Sequence, residues 1–292
     1  MTSSAVDRDD RPRSGIIVHN VVNMHREPAR SAEMVSQTLL GHSVEILEER
    51  DGWMRIQTDD TYRGWVESRW VASQEAGFPL DQALSVIAPF GEIRSAPYIE
   101  SRLVVRVSML TRLTRRTAAS ECPAGWVAVN GPADTARGFL PESAVGTHAV
   151  GGGLPPPAVA VGHAFGLLGT PYVWGGTSSF GLDCSGFVQL CYRLAGIVLR
   201  RDADLQRDDL RFVPVPFSDL SPGDLVFFGK EGRITHVGMW YGGTAFLHAS
   251  GGAGVIVTEW GDDRYTPIYV DARRLDLRRR DEPVRRFEAE NR

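Results

Sequence analysis

The chain has 292 residues, enough for two to three domains at roughly 150 residues each. Hydrophobic residues at 42% and charged residues at 23% exclude wholesale disorder. With 32 Lys+Arg against 36 Asp+Glu the net charge is −4, so neither a nucleic-acid partner nor adhesion to a membrane is expected.

Residues 1–14 are polar and charged, and read as a disordered tail without the apolar run of a secretory signal. No later stretch approaches the ~20 apolar residues of a membrane span. Two small β modules follow, 15–75 and 76–148, with a soft boundary near Gly77-Phe78-Pro79. In the first, Gly15-Ile16-Ile17-Val18, Ser43-Val44-Glu45-Ile46-Leu47 and Trp53-Met54-Arg55-Ile56-Gln57 alternate as strands. Asp51-Gly52 and Asp59-Asp60 read as hairpin turns between them. The second repeats the style in Leu103-Val104-Val105-Arg106-Val107, Gly125-Trp126-Val127-Ala128-Val129 and Arg137-Gly138-Phe139-Leu140. The echo of Tyr62-Arg63-Gly64-Trp65-Val66 in Arg137-Gly138-Phe139-Leu140 implies an internal duplication of a small barrel. Residues 149–157, containing Gly151-Gly152-Gly153 and Pro155-Pro156-Pro157, read as a linker to a larger module over 158–285.

Three cysteines, Cys122, Cys184 and Cys191, make neither a disulfide framework nor a Cys-x-x-Cys zinc pair. Their free thiols fit a reducing interior, so a cytoplasmic protein without metal or cofactor is expected. Cys184 follows the glycine-rich run Gly169-Thr170-Pro171-Tyr172-Val173-Trp174-Gly175-Gly176. After it, Phe187, Val188, Cys191, Leu194 and Ala195 recur at helical spacing and stop at Gly196. Cys184 thus sits at a helix start, where unpaired N–H groups favour a thiolate, whereas Cys191 packs on the buried stripe.

Downstream, Pro222-Gly223-Asp224-Leu225-Val226-Phe227-Phe228 reads as a turn into a buried strand. His236 and His248 fall on the next two strands, joined through Gly242-Gly243. A thiolate needs an imidazole within reach, and that imidazole needs a third group to fix its tautomer. A regular two-residue Gly242-Gly243 turn would pair His236 with Ala249 and set the two histidines on opposite faces. An odd-length loop or a bulge is therefore required. His19, His25, His42, His148 and His163 have no motif around them and are taken as structural.

Asp183-Cys184-Ser185-Gly186-Phe187-Val188, Pro222-Gly223-Asp224-Leu225, Thr235-His236-Val237-Gly238 and Leu247-His248-Ala249 together resemble the NlpC-type cysteine peptidases of bacterial cell-wall metabolism. Asn23-Met24-His25-Arg26, Asp51-Gly52-Trp53 and the Gly64-Trp65-Val66 element resemble bacterial SH3-like domains. The resemblance implies an α+β fold: a papain-like catalytic domain behind two SH3-like barrels. It also implies Cys184 as nucleophile, His236 as general base and acid, His248 as the polar third residue, and Tyr172 beside the oxyanion with the Cys184 N–H.

Members with SH3-like domains resemble γ-D-glutamyl-L-diamino-acid endopeptidases, which recycle murein peptides bearing a free N-terminal L-alanine. That pattern implies that Asp183 and Ser185 hold the terminal ammonium, while Glu33 and Tyr62 of the first barrel close the groove. Arg201 or Asp202 would meet a diaminopimelate carboxylate, a surface charge cluster being the alternative. The partner is then a murein-derived peptide, bound by a monomer with no metal. The alternatives are an amidase or acyltransferase using the same Cys-His-His site, or a non-catalytic wall-binding protein.

Overall fold

The computed structural model describes residues 13–73, 78, 83–116, 122–146 and 155–284. Residues 1–12 of the expected tail, most of the boundary at 76–79, His148 and the glycines of the expected linker lie outside the described residues, whereas Arg13 and Ser14, expected in the tail, begin a strand.

The first barrel comprises β1 (Arg13–Ile17), β2 (Val21–His25), β3 (Met34–Leu39), β4 (Ser43–Arg50), β5 (Trp53–Gln57), β6 (Arg63–Glu67) and β7 (Val71–Ser73). Their sheet order is β3-β2-β6-β5-β4-β1-β7. At the β4–β5 turn Asp51 and Gly52 take φ of 49° and 80°, the left-handed pair that matches strand twist in a two-residue hairpin. The second barrel comprises β8 (Leu84–Val86), β9 (Phe90–Arg94), β10 (Leu103–Ser108), β11 (Arg112–Arg115), β12 (Trp126–Asn130), β13 (Gly138–Pro141) and β14 (Val145–Gly146). Its order, β10-β9-β13-β12-β11-β8-β14, repeats the first with every strand advanced by seven. Two identical strand orders in tandem are a duplicated fold.

The third unit opens with α1 (Pro156–Phe165). Its first two residues are Pro156 and Pro157, which were expected at the end of a linker. Proline needs no amide partner in a first turn and its fixed φ suits one, so here it starts a helix. Next come the short hairpin β15 (Thr177–Ser178) and β16 (Gly181–Leu182), then α2 (Cys184–Leu194) and α3 (Ala203–Arg207). The sheet follows with β17 (Phe212–Val215), β18 (Leu225–Lys230), β19 (Arg233–Gly242), β20 (Ala245–Ser250), β21 (Gly254–Glu259) and β22 (Tyr269–Leu275). Its order is β17-β22-β18-β19-β20-β21, antiparallel throughout.

Alternation gives this sheet two buried faces. Leu225, Phe227, Val237, Met239 and Leu247 pack beneath α1 and α2, while Val226, Phe228, Trp240 and Phe246 pack under Trp260, Tyr265 and Tyr269. The end of α2 is closed by Gly196 at φ 83°, with Gly196 N–H donating to Arg193 O and Ile197 N–H to Tyr192 O. This double bond to the last turn is why the helix stops at the expected glycine.

One expectation about α2 needs correction. It was read as amphipathic, yet its polar side is buried as well. The first barrel covers that side: Gln189 Nε2 donates to Asp60 Oδ2 at 2.7 Å, and Arg193 Nη1 meets Asp59 Oδ2 at 2.6 Å. Leu39 of the first barrel and Met109 and Leu110 of the second share one apolar cluster with α1 and α2. In the second barrel, Ser108 N-terminal to that cluster bonds Ser179, hydroxyl to hydroxyl at 3.0 Å, on the loop before Cys184. All three units therefore pack as one body around the catalytic helix.

Candidate active site

Cys184 is the first residue of α2, and Asp183 is its N-cap, accepting the Gly186 N–H at 2.7 Å. The Cys184 N–H is one of the orphan donors of a helix start, and no acceptor pairs with it among the described residues. It can therefore serve a developing oxyanion. Tyr172, half-buried, is fixed by a bridge to Leu182. Its phenol is pushed up, first by burial and then by the negative charge Cys184 and Asp183 would carry, so it remains a proton donor beside the sulfur.

The hairpin bearing the histidines carries the required irregularity. Met239 pairs with Leu247, Trp240 with Phe246 and Gly242 with Ala245, leaving Tyr241 as the extra residue. Continuing that register puts Gly238 opposite His248, with His236 one diagonal step beyond on the same face. A side chain at 238 would meet Phe246 Cδ2 at 2.7 Å, so glycine leaves the space across which the two rings approach. His236 Nε2 and His248 Nδ1 lie 2.8 Å apart, and His248 Nε2 reaches Thr258 Oγ1 at 2.9 Å. Tyr265 stacks on His236 at 5.2 Å between ring centres and stands edge-on to His248 at 4.6 Å.

The backbone amides of Val237, the residue after His236, and of Ser185 lie against the Cys184 sulfur and favour its charged form. This contact brings the helix start against the histidine strand. With His236 Nε2 held by His248, Nδ1 is the nitrogen left to take the thiol proton.

The electrostatics differ from the expectation of a thiolate. Burial pushes the Cys184 thiol up to about 11, and the Asp183 charge adds to it, while the Val237 and Ser185 amides and Arg201 pull the other way. Burial likewise lowers His236 to about 4 and His248 to about 3. The helix end is already capped by a carboxylate, which offsets the help its positive end gives to an ionised sulfur. Burial thus favours the neutral forms of both thiol and imidazole in the free site. One consequence is measurable. The unfolded chain takes up histidine protons near pH 6.5, whereas the folded chain refuses them until about 4 at His236 and about 3 at His248 and His42. Folding stability should therefore fall as pH drops from 6.5 toward 4, by up to about 1.4 kcal/mol per pH unit for each such ring. Thermal melts at pH 7, 5.5 and 4.5 should show the fall, and His248→Gln should flatten it; a flat profile in the parent protein would contradict the buried, neutral rings.

One substrate role implied by resemblance is corrected. Arg201 is neither a surface charge nor a ligand for a substrate carboxylate: at 1% exposure its fork grips Asp183, Nη1 to Oδ1 at 3.1 Å and Nη2 to Oδ2 at 2.5 Å. Its remaining donors go to Ser185 Oγ at 2.9 Å and Ser36 Oγ at 3.1 Å. Asp183 in turn accepts from Gly186, Ser185, Arg201 and the Gly175 N–H, which fills the roughly four lone-pair sites of a carboxylate. In the free site its lone pairs are thus engaged within the clamp. Ser185 belongs to the same clamp, its hydroxyl donating to Asp183 Oδ1 at 3.2 Å.

The remaining residues meet around this clamp. Tyr62 lies against Asp202, whose carboxyl burial raises above its ordinary value. Glu33 accepts from Arg26 Nε at 2.8 Å and from Trp174 Nε1 at 3.0 Å, joining the first barrel to the loop before Cys184. Arg26 feels Glu33, Tyr62 and Asp202 together. Asp202 is influenced most by burial, and both Arg201 and Arg26 stand within its electrostatic reach. Sequence reasoning missed Thr258, Tyr265, Arg26 and Trp174. For Thr258 a signal existed, since the Gly251-Gly252 turn implies another hairpin; Arg26 and Trp174 lie inside quoted motifs, and Tyr265 had no signal.

Residues 169–274 match the family model described as the NlpC/P60 family, and residues 24–69 match the one described as the bacterial dipeptidyl-peptidase SH3 domain. The C-terminal domain is an NlpC/P60 cysteine peptidase domain. The whole chain is 27% identical over 269 residues to a Lysinibacillus sphaericus protein named dipeptidyl-peptidase 6, covering 88% of this chain and 94% of that one. Over 86 residues, 28% of either chain, it is 45% identical to a Bacillus subtilis protein named gamma-D-glutamyl-L-lysine dipeptidyl-peptidase. A solved NlpC/P60 family protein from Bacillus cereus superposes with a TM-score of 0.74 at 21% identity, covering 90% of this chain and 99% of that one, a likeness of fold. The NlpC/P60 domain thus carries the cysteine and both histidines, and the SH3 domain carries Glu33 and Tyr62.

Proposed function

We propose that the protein hydrolyses the γ-D-glutamyl–diamino-acid bond of murein peptides that begin with a free L-alanine. The observation that carries this reading is the half-buried Asp202 carboxylate, with Tyr62 of the first barrel against it beside the catalytic helix. A half-buried carboxylate favours a cation, and a peptide's terminal ammonium supplies one. Asp202 is the group we assign to it, with Glu33, bonded to Arg26 and Trp174, adding negative charge nearby. The relatives named for γ-D-glutamyl-lysine cleavage support the choice of bond.

In this reading the ammonium fixes how far the chain runs before the cleaved carbonyl, so a dipeptide is released. The thiol proton passes to His236 Nδ1 as sulfur attacks the γ-carbonyl. The Cys184 N–H and Tyr172 hydroxyl receive the oxyanion, and His236 returns the proton to the leaving amine. Water, deprotonated by His236, then hydrolyses the thioester. The free thiols Cys122, Cys184 and Cys191 support action in the cytoplasm on peptides returned from the wall, by a monomer; cell fractionation and light scattering test those two points.

The decisive assay follows L-Ala-γ-D-Glu-L-Lys and L-Ala-γ-D-Glu-diaminopimelate, each free or N-acetylated, by mass spectrometry. Free peptides should be cut and acetylated ones spared. Asp202→Asn and Glu33→Gln should each lower kcat/KM on free peptides by roughly 10- to 100-fold, the worth of one charge-assisted hydrogen bond. Equal cleavage of acetylated peptides would remove the ammonium from the argument and favour an amidase.

A further inference from the structure

We propose that Thr258 is a positioning residue: through its hydrogen bond to His248 it selects the tautomer of the His236–His248 pair in which His236 can act as a base. The proposal rests on the peptidase chemistry of Cys184 and His236 and not on which peptide is cut.

Thr258 lies on β21, where Phe246 pairs with Thr258 and His248 with Ile256. It is thus the diagonal neighbour of His248 on the same face, as His248 is of His236. The three side chains form a row across β19, β20 and β21, with links of 2.8 Å and 2.9 Å. His248 has no exposure and Thr258 only 5%, so this row has no water to complete it.

Two hydrogen bonds in series permit two proton arrangements. In the first, His236 Nε2–H donates to His248 Nδ1 and His248 Nε2–H donates to Thr258 Oγ1; His236 Nδ1 is then bare and is the nitrogen free to act as a base. In the second, both protons sit one place back along the row. Thr258 O–H donates to His248 Nε2, His248 Nδ1–H donates to His236 Nε2, and His236 Nδ1 carries a hydrogen that disqualifies it as a base. Only the first works. A hydroxyl accepting from His248 sustains it, and polarisation along the row strengthens the His236–His248 bond when His236 becomes an imidazolium. Without an acceptor at 258, the first arrangement leaves a buried N–H unpaired, whereas the second leaves a lone pair, which proteins tolerate better. Losing the hydroxyl therefore moves the pair toward the inactive tautomer.

The test uses the full chain and two readouts that need no substrate. Nitrogen-15 NMR of labelled histidine rings assigns the protonated nitrogen, and iodoacetamide alkylation read at the Cys184 peptide reports its activation apart from Cys122. In the parent protein and in Thr258→Ser, His236 and His248 should both be protonated at Nε2. In Thr258→Val the signals should move toward His236 Nδ1–H, with Cys184 alkylation roughly 10- to 30-fold slower, the worth of one such hydrogen bond. Alkylation of Thr258→Val at the parent rate would overturn the proposal, as would equal loss in the Ser variant, which would assign the effect to packing. If Thr258→Val does not fold, the parent spectrum alone decides: His248 protonated at Nδ1 would overturn it.

Discussion

Cys184→Ala is expected to lower peptide cleavage by at least about 10⁴-fold, with the melting temperature of the parent protein kept. Nucleophile, base and orienting group act as a unit, so removing one member forfeits nearly all of the covalent route. The substitution deletes one sulfur at a barely exposed position and leaves the Asp183 cap and its bond to Gly186 in place. Product formation by mass spectrometry measures it, and more than about 1% residual turnover would remove Cys184 from the chemistry. His236→Ala should match this loss, whereas His248→Ala should lose less, because it acts on the base and not on the substrate.

The second large effect is on stability. Asp183→Ala should destabilise the protein by about 3–5 kcal/mol, because it leaves the Arg201 guanidinium buried without a counter-charge and removes the α2 cap. Arg201→Met should cost less. Its loss still leaves Asp183 with the Gly175 and Gly186 amides and the Ser185 hydroxyl. The double variant should be milder than Asp183→Ala alone, since it removes both charges together. Denaturant melts of the three variants rank them; Asp183→Ala within about 1 kcal/mol of the parent would mean the clamp holds nothing together. The same ranking separates the clamp from the ammonium site, because Asp202→Asn and Glu33→Gln should change kcat/KM with little loss of stability.

The difference between Asp183 and Asp202 shows where local pattern stops being informative. Both are acidic residues beside a motif, and both stand at the start of a helix. Only one is gripped by a guanidinium fork, because the chain folds Arg201 back over α2 and presses it against Asp183. Nothing in the spacing of residues 183 and 201 announces that contact. The thiol of Cys184 is a similar case. A helix start argues for ionisation, yet burial and the charge of the capping carboxylate push the thiol the other way.

Local physics was legible throughout. The apolar spacing and Gly196 bounded α2, and the need for His236 and His248 to share a face required the bulge that Tyr241 supplies. The repeated glycine-aromatic elements foretold two barrels of one strand order. Periodicity, turns and caps act over a few residues, so one-dimensional order contains them. Tertiary structure decided the rest: which carboxylates are silenced by arginine, that Glu33 and Tyr62 arrive from about 150 residues upstream to wall the site, and that a threonine completes the histidine row. Those outcomes depend on desolvation and on charges brought together from distant segments, whose strength is set by burial and by separation in space, quantities that come into being only when the three units pack as one.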